Sequence, residues 1–368
     1  LKNLENINIG TSEKRVLVAP LDWGLGHATR CIPIIEQLLS EKITVLIAAE
    51  GQTAAILKEA FPKCLLLPLR GYRIRYSSSG KWFSLKLTTQ IPKIFFAARY
   101  EKKWLKQIVK KYQIDGIISD NRLGLSHKNV PSIFITHQLH ILTENRWLDR
   151  IVQRINYAYI NRFSSCWIPD LATENNYAGT LSHPIKKPAI PVHYLGVLSR
   201  LQFKESDIKY RVCFLLSGPE PQRTILETAL MAQIKNLDGG SLLMVRGLPN
   251  EKEVPSNSNP QLTIYNHQNG SMLNMLISQS ELVVCRSGYS SVMDLIACHK
   301  KAILIPTPGQ TEQMYLAKHL SKNGLFVAAL QSDLNLSDSI CSALAMQMPE
   351  RNQLDWNKLI VSNWIKSI

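Results

Sequence analysis

The chain of 368 residues has no uninterrupted apolar stretch long enough to cross a bilayer, so no membrane-spanning helix is expected. Its first fifteen residues, LKNLENINIGTSEKR, lack an apolar core of signal-peptide length. Cysteine is sparse, with seven residues at 31, 64, 166, 213, 285, 298 and 341 and no Cys-x-x-Cys pair. That spacing argues against a zinc site or a disulfide framework and for buried thiols in a reducing compartment. The expectation is a cytoplasmic protein, free or held peripherally on the cytosolic face of a membrane. Internal repeats and long low-complexity tracts are also missing. At 45% hydrophobic and 19% charged, the composition is that of a folded protein, and the length suits two domains rather than one core.

Acidic side chains are the other shortage: 28 Asp and Glu stand against 43 Lys and Arg, a net charge of +15. Most of the surplus lies between Arg70 and Lys111, where twelve basic residues face one acidic, Glu101, a net +11. Tyr72, Tyr76, Trp82, Phe83, Phe95, Phe96, Tyr100 and Trp104 are interleaved with them. Cations mixed with apolar bodies suit an anionic bilayer surface. Stacking on single-stranded nucleic acid is the rival use, but no nucleic-acid-binding module is present, and nucleic acid is not an expected partner. A solvated helix face with its aromatics on the core is the plain alternative.

Apolar runs and helical periodicity alternate along the chain, as a doubly wound α/β protein requires. Strands are expected at 15–19, 43–48, 65–68, 116–119, 132–136, 166–168 and 193–195, with helices at 28–39, 53–60, 92–111 and 146–162. The polar stretch 199–209 reads as a linker. Beyond it come strands at 212–216, 241–245, 262–265, 282–285, 302–305 and 324–328, with helices near 223–234, after 288, near 311 and at 337–346. The expected division is a first domain over 1–199, a second over 200–348, and an amphipathic tail over 349–368.

Function is most legible in 281–317, ELVVCRSGYSSVMDLIACHKKAILIPTPGQTEQMYLA, two strand-turn-helix units in tandem. Ser287-Gly288 falls where a strand feeds a helix, a position whose free N–H groups and dipole suit a phosphate, with Gly288 permitting close approach. Asp294, about a turn further on, offers a carboxylate to ribose hydroxyls. Glu312-Gln313 opens the next helix and adds further acceptors for sugar hydroxyls. At the first strand, Gly24-Leu25-Gly26-His27 stands directly ahead of a helix. The glycines clear the sheet edge, and the helix end disfavours a charged imidazole, leaving His27 available as a base. Contact with acceptor or phosphate, or mere ordering of the loop, are the other roles open to it. Asp120-Asn121-Arg122 and Thr136-His137 follow later strands of the same half and fall on the carboxyl edge where ligands bind. Asp120 and His137 are therefore rival bases, and Arg122 is suited to an acceptor diphosphate. Turn chemistry explains Asp120-Asn121 equally well.

Cys285-Arg286-Ser287-Gly288 with Asp294, the Pro-rich turn and Glu312-Gln313, together with Gly24, Gly26 and His27, resembles the MurG-type N-acetylglucosaminyltransferases of the GT-B class. Asp294 stands where that family usually has Glu, and Glu312-Gln313 where it has Gln-Gln. Ser217, Gly218 and Arg223 match its second-domain phosphate loop, although Pro219 and Pro221 remove N–H donors there. The resemblance implies two Rossmann-like domains facing a cleft, with a C-terminal helix crossing back to the first. It implies a UDP-sugar donor, held by Ser217, Gly218, Arg223, Arg286, Ser287, Gly288, Asp294, Glu312 and Gln313. It also implies a glycan or polyprenyl-linked acceptor near Gly24, Gly26, Asn121 and Arg122, and inverting transfer. No Asp-x-Asp pair is present, so no metal or cofactor is expected. A hydrolysing UDP-sugar epimerase and a non-catalytic nucleotide-sugar or lipid-binding protein are the alternatives.

Overall fold

The computed structural model describes residues 14–22, 24–72, 91–142, 146–237, 239–256, 259–348 and 356–368. The first half holds β1 (Arg15–Pro20), α1 (Leu25–Ser40), β2 (Thr44–Ala49), α2 (Gly51–Ala60), β3 (Leu65–Pro68), α3 (Ile91–Tyr112), β4 (Gly116–Asp120), β5 (Ser132–Ile135), α4 (Arg146–Ile160), β6 (Ser165–Ile168) and β7 (Val192–Tyr194). The second holds β8 (Tyr210–Leu215), α5 (Gln222–Ile234), β9 (Leu242–Val245), β10 (Leu262–Tyr265), α6 (Gly270–Ser278), β11 (Ser280–Cys285), α7 (Tyr289–Ala297), β12 (Lys301–Leu304), α8 (Thr311–Lys322), β13 (Val327–Ala328) and α9 (Leu336–Ala345), followed by α10 (Lys358–Ser367).

The strands form two sheets, ordered β3-β2-β1-β4-β5-β6-β7 and β10-β9-β8-β11-β12-β13. Every pairing is parallel. Parallel strands covered on both faces need apolar residues at every position, which is why β1 reads as a continuous run and is wholly buried. Alternation then divides the side chains. Val16 and Val18 meet Cys31, Ile34, Ile35 and Leu38 of α1 on one face. Leu17 and Ala19 meet Leu105 of α3 on the other. Around β8 the same rule sends Cys213 toward α6, α7 and α8, and Val212 and Phe214 toward α5 and α9. In both sheets the chain reverses direction beside the first strand, so the β1–α1 and β11–α7 turns open at carboxyl edges where ligands collect.

α10 returns to the first half, as the amphipathic tail led us to expect. Val361 and Ile365 enter the core of the first sheet, and Trp364 stands edge-on to Trp167 at 5.6 Å. Its fit on β4 is close enough that a Cβ at Gly116 would come within 2.6 Å of the Trp364 ring. No helix among the described residues is long and apolar enough to cross a membrane.

Two local expectations differ. The strand expected over 324–328 shrinks to two residues because Gly324, at φ +67°, and Leu325 close the end of α8 by bonding back to Ser321 and Leu320. Helix α6 was not anticipated; the Asn269 side chain starts it by accepting from the Met272 N–H at 2.9 Å. In the basic segment, Tyr76, Trp82, Phe83, Arg73, Arg75, Lys81 and Lys86 lie outside the described residues. On α3, Lys93, Arg99, Lys102, Lys103, Lys106, Lys110 and Lys111 are exposed, and Glu101 is fully buried. Phe95, Phe96 and Tyr100 also reach solvent, and the Phe95 ring lies 5.9 Å from the Tyr159 ring of α4.

Candidate active site

Three helices begin at the junction of the two sheets: α1 at Gly24, α7 at Gly288 and α8 at Gln310. None of these three starting residues caps its helix with a side chain. By contrast, α6, α9 and α10 are capped by Asn269, Asn335 and Asn357. The free N–H groups at the junction are suited to an anion. A Cβ on Gly24 or Gly288 would meet nothing within 4 Å, so both backbones border open space. Gly24 needs to be glycine for a second reason, its φ of +92°.

The starts of α1 and α7 touch. A Cβ at Gly26 would lie 2.4 Å from Ser290 Oγ, and Tyr289 donates its hydroxyl to the Pro169 carbonyl while stacking on His137 at 4.1 Å. Below this contact lies a buried polar cluster. Asp120, wholly buried at the end of β4, accepts from Arg30 Nε at 2.6 Å and from Arg30 Nη2, and has His27 Nδ1 3.1 Å from its Oδ1. Arg30 also places Nη2 2.7 Å from His27 Nδ1 and Nη1 2.9 Å from His137 Nδ1. His137 Nε2 then reaches Glu312 of the second half at 2.9 Å. The three candidate bases, His27, Asp120 and His137, are thus one connected unit, and Glu312 joins it across the cleft.

Charge states follow from this packing. Burial and then the Arg30 cation hold His27 below the ordinary imidazole range, against the pull of Asp120. Burial works to raise Asp120, but Arg30 and His27 more than offset it, and the carboxylate lies well below its usual range. For Glu312 burial is likewise outweighed, by His137 first and then Arg30 and His27. At neutral pH the unit therefore holds two carboxylates, one guanidinium and a neutral His27.

On the second half, the turns after β11 and β12 are tied together. Ser287 donates to the Gln313 carbonyl at 2.9 Å, and the Gln313 side chain accepts from the Thr307 N–H at 2.8 Å. Asp294 is bonded to Ser199 of the linker, and burial lifts its carboxyl to about 6, opposed by Ser199 and Arg200. Gly218, at φ +103°, is exposed with open space around it, beside a half-buried Ser217.

Several expected ligand residues are placed differently. Arg122 is fully buried and bonds Glu101, Pro20 and Arg70, so its guanidinium ties a loop instead of facing an acceptor diphosphate. Arg223 is spent on Glu220 and Glu227, and Glu220 itself occupies the start of α5 through the Thr224 N–H. Arg286, 2% exposed, donates to the carbonyls of Ile305, Pro306 and Gln222, and burial lowers it to about 10. It ties the turn after β11 to the turn after β12 and to the start of α5. Asn121 adopts φ +55°, the left-handed turn conformation that Asn tolerates. Sequence reasoning missed Arg30, Tyr289 and Ser199. Arg30 was within reach, since it lies three residues after His27 on one helix face.

Residues 225–359 match the glycosyltransferase family 28 C-terminal domain, a span that runs from α5 into α10. No curated protein matches the sequence. The whole chain is similar in structure to the spinosyn rhamnosyltransferase SpnG, with 16% identity, 96% of each chain covered and a TM-score of 0.61. It is similar also to Arabidopsis thaliana UGT89C1 complexed with UDP-L-rhamnose, at 13% identity over 97% of this chain and 94% of that one, TM-score 0.61. The glycosyltransferase SnogD from Streptomyces nogalater gives 12% identity, 96% coverage of each chain and a TM-score of 0.59. The chain accordingly has GT-B architecture, and its residues 225–359 are similar to the glycosyltransferase family 28 C-terminal domain.

Proposed function

We propose that the protein transfers a hexose or N-acetylhexosamine from a UDP-sugar to a hydroxyl of a glycan or lipid-linked acceptor, by direct displacement with inversion. One observation carries this reading: His27, backed by Asp120 at 3.1 Å, stands at the start of α1 where that helix abuts the start of α7. A base and an anion-binding helix end thus meet at one point. His27 takes the acceptor proton as the hydroxyl oxygen attacks the anomeric carbon, and the bond to the diphosphate breaks on the opposite side. The amides at Gly288 and at the start of α8, with Ser287, receive the charge of the departing diphosphate. Asp294 holds the ribose, Glu312 and Gln313 the sugar hydroxyls. The lack of an Asp-x-Asp pair supports a step without a metal ion. UDP is the favoured nucleotide on the resemblance of 285–294 to MurG-type enzymes, and UGT89C1, one of the similar structures, is complexed with UDP-L-rhamnose.

The exposed cations of α3, with Phe95, Phe96 and Tyr100 exposed on the same helix, support peripheral docking on an anionic membrane, where a lipid-linked acceptor would be presented. The test is a mass-spectrometric screen of UDP-, TDP- and GDP-sugars with and without polyprenyl-linked acceptors. Sugar transfer from a UDP-sugar only when acceptor is present is the expected result. Release of UDP from donor alone at an equal rate would replace this reading with that of a hydrolysing epimerase.

A further inference from the structure

Arg30 contributes only donors, five N–H groups on a guanidinium that stays charged. Its Nε and Nη2 engage Asp120, its Nη2 also lies 2.7 Å from His27 Nδ1, and its Nη1 lies 2.9 Å from His137 Nδ1. A donor at each of these distances requires a lone pair opposite it. Both Nδ1 atoms are therefore unprotonated, and each neutral ring carries its proton on Nε2. For His137 this agrees with the remaining bond, Nε2–H donating to Glu312 at 2.9 Å. For His27 it has a different consequence. The Nε2 nitrogen, left for the substrate, holds a hydrogen and has no lone pair with which to accept a proton. The alternative, Nδ1–H donating to Asp120 at 3.1 Å, would set that hydrogen against an Arg30 N–H at the shorter distance of 2.7 Å.

We infer that Arg30 is a positioning residue that selects the tautomer of His27, holding the base in its inactive form until Arg30 withdraws from Nδ1. This rests on the reading of His27 as the base. The exchange conserves protons: Nε2 gives one to water, Nδ1 takes one from water, and the new Nδ1–H donates to Asp120. Arg30 keeps its Nε bond to Asp120 throughout. What holds Arg30 in place is the chain of bonds through His137 to Glu312, which belongs to the first turn of α8 in the other half of the molecule. A ligand that draws Glu312 away from His137 loosens this hold, so occupation of the donor side releases the base. Arg30 and Cys31 from α1, Asp120 from β4, His137 from the β5 edge, and Glu312 and Tyr289 from the second half are the titratable groups around His27.

The test is the side-chain nitrogen spectrum of the full-length protein labelled with ¹⁵N-histidine, with His27 assigned by its loss in His27→Asn. Without ligand, the expected pattern for His27 is a pyrrole-like Nε2 and a pyridine-like Nδ1. Saturating UDP-sugar, or Arg30→Lys, whose single ammonium cannot bridge Asp120 and His27 together, reverses it. A pyrrole-like Nδ1 in the unliganded wild type overturns the inference. So does a pattern that UDP-sugar and Arg30→Lys both leave unchanged. The wild-type spectra decide the matter even if the variant does not fold. Turnover of His27→Ala is read separately: retained turnover removes the base assignment while leaving the tautomer result standing, and lost turnover with a pyrrole-like Nδ1 in the unliganded wild type removes only the role of Arg30.

Discussion

If the start of α1 must press against the start of α7 for transfer to occur, one added methyl group at Gly26 will hinder it. The Cβ of Gly26→Ala falls 2.4 Å from Ser290 Oγ and 3.0 Å from Ser290 Cβ. The hydroxyl can swing aside; the Cβ cannot move without its helix. Gly26 is not among the positive-φ glycines and lies inside α1, so alanine fits the local backbone and favours the helix by roughly 1 kcal/mol. The cost therefore falls on the contact between the halves and not on the folding of the first one. Overpacking at such a contact costs about 1 to 3 kcal/mol, which at 1.4 kcal/mol per tenfold is roughly a 5- to 150-fold loss in kcat/KM. Pairing the change with Ser290→Gly removes the obstruction. The measurement is a double-mutant cycle on transfer rate, with circular dichroism melts as the folding control. Recovery of most of the lost rate in the double variant is expected, with a coupling energy of about 1 to 3 kcal/mol. Strict additivity of the two changes, or a Gly26→Ala enzyme as active as the wild type, would refute the claim that this contact forms during turnover.

Asp294→Ala is expected to weaken UDP-sugar binding by about 1 to 3 kcal/mol in calorimetry, and unchanged affinity removes Asp294 from the donor site. Its carboxyl is raised to about 6, so the proton is bound more tightly in the folded than in the unfolded protein. The stabilising effect of that proton is complete below the usual Asp range and is lost as pH rises through about 6. Urea melts from pH 4 to 8 should accordingly show Asp294→Asn gaining stability relative to wild type with rising pH, and a constant difference contradicts this. Ile365→Ala, which empties a 6% exposed position of α10 in the first core, should cost about 2 to 5 kcal/mol of stability. A shift under about 0.5 kcal/mol, the range of an ordinary surface change, would mean that α10 does not stay docked in solution. Replacing Lys102, Lys103, Lys106, Lys110 and Lys111 by Gln should reduce co-sedimentation with acidic liposomes without lowering the melting temperature, since all five are exposed. Equal binding to neutral liposomes, or none to either, counts against an electrostatic membrane role.

The two-sheet architecture was legible because buried parallel strands must be apolar on both faces, and short runs such as Val16 to Ala19 and Val283 to Val284, each stopped by a turn, fit that environment. The helix start after Ser287-Gly288 was legible for a similar reason, since that turn stops a strand and precedes a periodic apolar pattern, whereas α1 begins at Leu25, three residues ahead of the start expected at 28. What residue order conceals is the direction of a long side chain. Arg122, Arg223 and Arg286 follow strands or begin helices at ligand-binding edges, yet each guanidinium turns inward. Arg122 and Arg223 meet carboxylates, and Arg286 meets backbone carbonyls. Flexible stems with five donors satisfy whatever acceptors lie nearest, and those acceptors come from residues up to 102 positions away, as Pro20 does for Arg122. The contact of His137 with Glu312 spans 175 positions and depends on how the halves meet, a relation that no local pattern encodes.

Everything proposed for the chemistry turns on His27 removing the acceptor proton at a cleft whose donor side is built by α7 and α8. Steady-state transfer by His27→Ala probes this without intermediaries, with UDP binding to the same preparation followed by calorimetry. A base in that position requires a kcat lower by roughly 10²-fold or more and a UDP affinity close to that of the wild type. A variant that keeps most of its turnover would rule His27 out and shift the base to Asp120 or His137.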